Sequence, residues 1–488
     1  MYVSPFWAIM APVCGGLLIA MLKESRVRER NMLAVLTSIV TFLLVAPGLP
    51  FVLRGETISW TAVNITRGLS IAFTVEPLGL LFAFLSSMLW VFAALYATGY
   101  MSHEYHQRRF FTFYILALSA TMGVAFSANL FTLYLFYEYL ALITYPLVIH
   151  SQSAEAYAAG TKYIIYCLVS GALVFLSLFI LGGVVDSLTF TPTGVLGVAL
   201  ESHGLSLFII FFAAVFGFGV KAAMMPLHSW LPAAMVAPTP VSALLHAVAI
   251  VKTGIFGILR VMFYLYGVDT MRELRVADIL AVFAVFTIIV ASVLAIKQTK
   301  LKSRLAYSTI GQLGYITLGA AMLSPYALTG GVAHLINHAV LKIVLFFCAG
   351  AIITQTGAKY LDQLNGIGKR MPYTMFCFAL ASSGLIGVLP LAGYISKLYL
   401  LGGSIESGKP ILGFVLLISA VLNSVYYLPI IIRAYFSEGP YEAPLGLESP
   451  PSMLFPTAVL TVICVVFGLF AEQTTLPLVT RVVSSVFQ

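Results

Sequence analysis

FGFGVKAAMMPLHSWLP, residues 216–232, places Lys221 inside an apolar run and Pro226 five residues after it. A charge near a bilayer centre costs roughly 2.5–3.5 kcal/mol on insertion scales, so a lysine there needs a use or a partner. Proline removes a backbone donor and crowds the preceding turn, so the span kinks or breaks. Freed backbone groups at membrane depth are tolerated only inside protein or beside a watery cavity. The pattern returns in GLIGVLPLAGYISKLYL, residues 384–400, where Lys397 follows Pro390 by seven residues. Broken helices at matching places in two halves point to inverted-repeat transporters with sites near the membrane midplane.

Working outward, the whole chain reads as a polytopic, all-α membrane protein. It has 488 residues, is 60% hydrophobic and only 9% charged, and has a mean hydropathy of +1.01. Soluble domains carry about 25% charged residues. The apolar runs reach helix-spanning length, about 20 residues, which excludes a β-barrel built from ten-residue alternating strands. Fourteen spans are expected, at 4–22, 32–53, 72–99, 109–127, 129–150, 160–184, 205–226, 240–265, 277–296, 305–323, 328–354, 373–402, 411–436 and 453–471. The broken spans are then the seventh and twelfth. Their spacing of five suggests two five-helix units, spans 4–8 (109–265) and 9–13 (277–436). Residues 1–100 precede these units, and a last span with a short tail, 453–488, follows them.

The net charge of +8 does not mark a nucleic-acid binder, because the basic residues are scattered through short loops. Of the 26 lysines and arginines, fifteen fall on the side of loop 23–31, six on the other, and five within spans. That bias places both termini outside the cytoplasm. The first apolar stretch, Pro5 to Leu22, reads as a retained span. The five cysteines lack CxxC spacing and read as small core residues. No nucleotide loop, haem motif or cysteine cluster appears, and the longest polar connections are only 54–71, 185–204 and 437–452. Any redox chemistry therefore needs other subunits.

The chemistry-bearing residues are few. Glu138, in FTLYLFYEYLALITYPLVIH (131–150), is the only acidic residue expected in mid-span. Its plain role is a structural ion pair; its functional one is a carboxylate switched by a lysine whose distance changes. Lys221 and Lys252 lie in adjacent spans, and lysine suits relay work because burial lowers its pKa while arginine stays charged. His334, His338 and Lys342 in GGVAHLINHAVLKIVLFFCAG (330–350) fall at i, i+4 and i+8, on one helical face. An HxxxH pair alone is a weak metal signal with no further ligand nearby, so no metal is expected and a proton-relay stripe is preferred. His246, six residues before Lys252, is a further candidate, although a lone buried histidine is often only hydrogen-bonded. Arg260 sits nearer its helix end and reads as able to snorkel. Glu76, Lys162, Lys302 and Arg304 read as interface or topology charges, and His228 as structural.

KAAMMPLHSWLPAAMVAPTPVSALLHAVAIVKTG (221–254), LKSRLAYSTIGQLGY (301–315) and HLINHAVLKIVLFFCAG (334–350) together resemble the antiporter-like subunits of respiratory complex I, of Mrp-type Na+/H+ antiporters and of membrane-bound hydrogenases. The likeness covers nearly the whole chain. It implies fourteen helices with two inverted five-helix repeats. It also implies a hydrated axis along the membrane plane, formed by Glu138, Lys221, Lys252, His334, His338, Lys342 and Lys397. The loop WLPAAM (230–235) departs from the pattern, because many members carry an acid after that proline. The absence of a long lateral helix after the last span suits the shorter, Mrp D-like kind of subunit.

The resemblance implies an H+ or Na+/H+ translocating subunit of a larger, redox-driven complex in the cell (inner) membrane. No catalytic centre lies on this chain. Expected partners are homologous antiporter-like subunits, small hydrophobic subunits, peripheral redox subunits and lipid. No cofactor is expected here; Fe–S clusters, flavin or a NiFe centre would belong to those partners. The alternative is a subunit of a gradient-driven Mrp-type antiporter with no redox partner.

Overall fold

The computed structural model describes residues 4–66, 68–439 and 448–487. Residues 1–3, Arg67, residues 440–447 of the 437–452 connection, and Gln488 lie outside the described residues. The chain opens with α1 (Pro5–Met21), α2 (Val27–Val45) and α3 (Gly48–Leu53). The expected loop 54–71 is instead largely an antiparallel hairpin of β1 (Ile58–Thr66) and β2 (Leu69–Val75), with two register irregularities. Its alternating β-branched and aromatic residues suit a half-covered ribbon, and Trp60 stacks on Phe73 at 5.6 Å. The polar residues of the stretch had masked that pattern.

Helices then follow almost without interruption: α4 (Pro77–Tyr100), α5 (Gln107–Ala125), α6 (Leu130–Val148), α7 (Ala154–Gly182) and α8 (Leu200–Lys221). A single turn, α9 (Trp230–Ala233), leads to α10 (Thr239–Ala247) and α11 (Ile250–Leu259), which continues as a π-helical stretch over Arg260–Tyr266. After α12 (Val268–Glu273) come α13 (Val276–Lys297), α14 (Leu301–Ala321) and the 32-residue α15 (Pro325–Thr356). The chain closes with α16 (Ile367–Arg370), α17 (Pro372–Ile386), α18 (Ala392–Glu406), α19 (Pro410–Phe436), α20 (Pro451–Leu469), α21 (Ala471–Thr474) and the amphipathic α22 (Leu476–Val486). Side-chain oxygens of Asn129, Ser153 and Ser324 cap the first turns of α6, α7 and α15, satisfying donors that a helix start leaves free.

Ten helical stretches among the described residues are long and apolar enough to cross a membrane. The protein is thus a multi-pass, mostly helical membrane protein. Nearly all of α15 and the whole of α10–α11 are buried, whereas α2, α7, α19 and α20 expose broad apolar faces such as Leu43, Phe179, Val421 and Val462. The core is therefore a pair of long helical elements ringed by apolar ones whose outer faces suit lipid or other apolar neighbours.

Both expected breaks are present. Helix α8 stops at Lys221, and residues 222–229 turn before α9. Helix α17 stops at Ile386, Gly387 takes φ +105°, and α18 starts at Ala392. The Met225–Pro226 and Leu389–Pro390 peptides are both cis. A third break was not expected: Val248 and Ala249 leave helical geometry and divide the 240–265 span between His246 and Lys252. Neither proline nor glycine marks it.

Candidate functional site

The geometry begins at the end of α8. Lys221 is fully buried, and its Nζ lies 3.9 Å from Oε1 of Glu138 on α6. The same Nζ donates to the Tyr137 carbonyl at 2.5 Å and sits 3.2 Å from the centroid of the Tyr137 ring. Tyr137 is itself fixed by Ser170 and the Gly217 carbonyl. The ammonium thus has a carboxylate, a carbonyl and a ring face around it, and it stands at a helix C-terminus, where the macrodipole favours a cation. Glu138 has room because α7 carries Gly171 opposite it; a Cβ there would lie 2.6 Å from Oε1. Glu138 keeps 24% of its side chain exposed, so the pair joins a dry lysine to a carboxylate at the edge of the molecule.

From Lys221 the buried polar groups continue inward. Helix α11 crosses the end of α8 so closely that a Cβ on Gly254 would run into the Ala222 nitrogen. Two residues from that crossing, Lys252 Nζ lies 2.8 Å from His338 Nδ1 on α15. A neutral His338 protonated on Nε2 accepts there, and Nε2 itself has no hydrogen-bond partner among the described residues. The His338 and His334 rings lie 6.0 Å apart. His334 is held at both nitrogens, by Ser396 Oγ at 2.9 Å and Gln312 Oε1 at 3.0 Å. One residue on from Ser396, Lys397 Nζ donates to the Leu385 and Ile386 carbonyls at 2.7 and 2.8 Å, the end of the broken α17. The Tyr315 ring links the two, 5.3 Å from His334 and 5.3 Å from Lys397 Nζ.

Two expected residues stand beside this line. Lys342 Nζ donates to the Leu305 carbonyl and to the Tyr427 hydroxyl, both at 3.0 Å, and Tyr427 continues to Ser308 and Tyr426. His246 packs its ring on Phe346 at 4.7 Å, and neither ring nitrogen has a hydrogen-bond partner among the described residues. The breaks at Pro226 and Pro390 each stand beside one end of the line, near Lys221 and Lys397. No group of three or more His, Cys, Asp or Glu side chains placed to hold a metal occurs among the described residues.

Some readings of charged residues need correction. Arg260 does not snorkel: it is fully buried, its Nη2 lies 2.6 Å from Glu76 Oε1, and its guanidinium packs over Phe190, Phe256 and Tyr264. Glu76 is no loose interface charge, since it also caps α4 through the Leu78 and Gly79 amides. Nearness to a helix end says nothing about tertiary cover. Arg304 is likewise buried, donating to the Ile296, Gln298 and Tyr426 carbonyls. Lys302 donates to the Ala237 carbonyl at 2.6 Å. The supporting residues Tyr137, Gln312, Tyr315, Ser396 and Tyr427 were missed, because uncharged polar groups in apolar helices are too common to single out.

The central part of the chain, residues 127–423, matches the family described as NADH:quinone oxidoreductase/Mrp antiporter, TM. The chain belongs to that family. Residues 60–111 match a second description, NADH-Ubiquinone oxidoreductase (complex I), chain 5 N-terminus. Among family relatives, the NADH-quinone oxidoreductase subunit N of Desulforudis audaxviator is 33% identical over 421 residues, covering 83% of each chain. The A/B subunit of the probable K(+)/H(+) antiporter of Rhizobium meliloti is 30% identical across 98% of this chain but only 48% of its own length. The A1 subunit of the Na(+)/H(+) antiporter of Staphylococcus aureus is 29% identical, with 92% of this chain and 59% of its own length covered. The chain therefore spans roughly half of these longer antiporter relatives.

Solved structures show the same fold. A chain of the Mrp complex from Dietzia sp. DQ12-45-1b superposes with a TM-score of 0.89 at 21% identity, covering 99% of this chain and 97% of that one. A chain of the membrane-bound sulfane sulfur reductase, an archaeal respiratory membrane complex, gives 0.89 at 22%, covering 100% and 98%. This protein is an antiporter-like membrane subunit whose relatives are parts of multi-subunit membrane complexes.

Proposed function

We propose that this chain carries protons, or exchanges H+ for Na+, inside a larger membrane complex driven by a partner's redox reaction. The observation that carries the reading is the buried line from Glu138 through Lys221, Lys252, His338 and His334 to Lys397. In this reading Lys221 moves between Glu138 and its inward neighbours, and the carboxylate takes up or releases a proton as the lysine departs or returns. A unit pair at 4 Å is worth about 4 kcal/mol at an effective dielectric of 20. That equals a shift of about three pKa units, enough to reload a proton site. Lys252, His338 and His334 pass the charge along α15, Lys342 and His246 flank it, and Lys397 governs exchange with one side.

Fourteen crossings with repeats over 109–265 and 277–436, and both termini outside the cytoplasm, belong to the same proposal. Contacts between connecting segments support the alternation. Arg30 with Gln107 and Lys302 with Ala237 join segments assigned to the basic side, whereas Lys409 with Asp278 and Ser324 with Glu406 join segments of the other. Fe–S, flavin or NiFe centres then sit on partner subunits. A gradient-driven Mrp-type exchanger remains the second reading, favoured by the likeness to the Staphylococcus and Dietzia proteins.

Purifying the chain from its native membrane under mild detergent separates the two. Co-purifying iron–sulfur or NiFe subunits support the redox-driven pump. Only small hydrophobic antiporter subunits would remove the redox half of the proposal and leave the exchanger.

A further inference from the structure

The buried line from Glu138 to Lys397 lacks an assigned mouth on the basic side, and the structure offers one at the start of α14. Lys302 is only part-buried, unlike the four lysines already placed. Its Nζ donates to the Ala237 carbonyl in the turn that leads into α10. Ser242 Oγ reaches that same carbonyl at 3.4 Å. His246 lies one helical turn beyond Ser242 on the same face of α10, and its two ring nitrogens are unpartnered among the described residues. A buried imidazole with no partner is costly unless something reaches it. Lys302 also acts electrostatically on both His246 and Glu104, in the short segment between α4 and α5.

We propose that Lys302 is the proton-uptake residue on the basic side, collecting protons at Glu104 and handing them past Ser242 to His246, beside Lys342 and His338. This rests on the proton-carrying reading of the buried line. In each step the Lys302 ammonium releases one proton toward His246 and becomes the neutral amine. The amine then takes one proton back from the Glu104 carboxyl, which recovers it from water. The groups around Lys302 suit such cycling. Lys359 brings positive charge to the same mouth, and Glu104 brings the negative charge. Burial raises the Glu104 carboxyl above its ordinary value, which lets it hold a proton nearer neutral pH. Two residues on from Ala237, the Thr239 hydroxyl donates to the Tyr100 hydroxyl at 3.4 Å.

The test uses the native complex reconstituted in vesicles, with assembly quantified for every variant. Lys302→Arg keeps the charge and the contact with Ala237 but does not release a proton at ordinary pH; proton movement should fall at least tenfold. Lys302→Ala should fall similarly and recover when a small alkylamine is supplied on the basic side only, a response that a structural role would not show. Glu104→Gln should displace the pH dependence measured on that side and leave that of the opposite side unchanged. Wild-type movement in Lys302→Arg, or no amine recovery in an assembled Lys302→Ala complex, overturns the proposal. Lys221→Ala run in parallel separates the two ideas. If it is inactive while Lys302→Arg is active, only the uptake site is lost; if it is fully active, the underlying reading is lost as well.

Discussion

Lys221 and Lys397 each lie beside the break of a proline-containing span, yet they are held in different ways. Lys221 faces the Glu138 carboxylate at 3.9 Å. Lys397 faces two backbone carbonyls at the end of α17 and the Tyr315 ring, with no carboxylate within salt-bridge reach among the described residues. A carboxylate can be neutralised by one proton, so the Lys221 pocket has two charge states of very different energy. Carbonyls and a ring face cannot titrate, so the Lys397 pocket has a fixed field and changes state only when the lysine does. The difference teaches that only one end of the line carries a group whose charge a proton can cancel; in the proposed function that end acts as the switch and the other as a seat.

The comparison breaks most severely at Glu138. Glu138→Ala removes the switch and leaves Lys221 with dipoles only, and proton movement by the assembled complex should fall by about a hundredfold or more. The pair is worth about 4 kcal/mol and each 1.36 kcal/mol is tenfold in rate. A near-normal rate would make the two pockets equivalent and end the distinction. Gly171→Ala is the next sharpest tool, because its Cβ would lie 2.6 Å from Glu138 Oε1. It should displace the carboxylate without deleting it and slow transport about tenfold, while flux through a complex lacking Glu138 should not respond further.

At the other end, Gly387→Ala strains a position with φ +105° and brings a Cβ to 3.0 Å from Lys397 Cδ. Strain of this kind is worth of order 1–3 kcal/mol, so a several-fold loss is expected, read as transport per assembled complex. Tyr315→Leu removes the ring face beside Lys397. A contact of this type contributes about 0.5–2 kcal/mol, so a loss of a few-fold is expected, smaller than any change at Glu138. Tyr315→Phe keeps the ring and should lie within about twofold of wild type.

How much of this was legible follows from the same residues. Lys221, Lys397, Pro226 and Pro390 stand out in the chain, because a charge beside a proline in an apolar run has few harmless explanations. The i, i+4, i+8 stripe on α15 was visible for the same reason of periodicity. The partner of each group was not. Lys252 meets His338 across 86 residues, and nothing local states the rotation of α11 against α15. The break at Val248 and Ala249 carries no proline or glycine, so no backbone preference in the sequence marks it. Arg260 and Glu76, 184 residues apart, each read as an end-of-helix charge until the fold brought them together. A buried pair of this kind costs several kcal/mol when one partner is removed, yet neither residue has a sequence neighbourhood that announces it.

The most direct measurement is proton movement by the native complex carrying Lys221→Ala, reconstituted in sealed vesicles, with subunit content measured in the same preparation. Full assembly with loss of nearly all coupled proton movement is expected. Wild-type proton movement in an assembled Lys221→Ala complex would contradict it, because the Glu138 carboxylate would then be titrating without the charge that is argued to switch it.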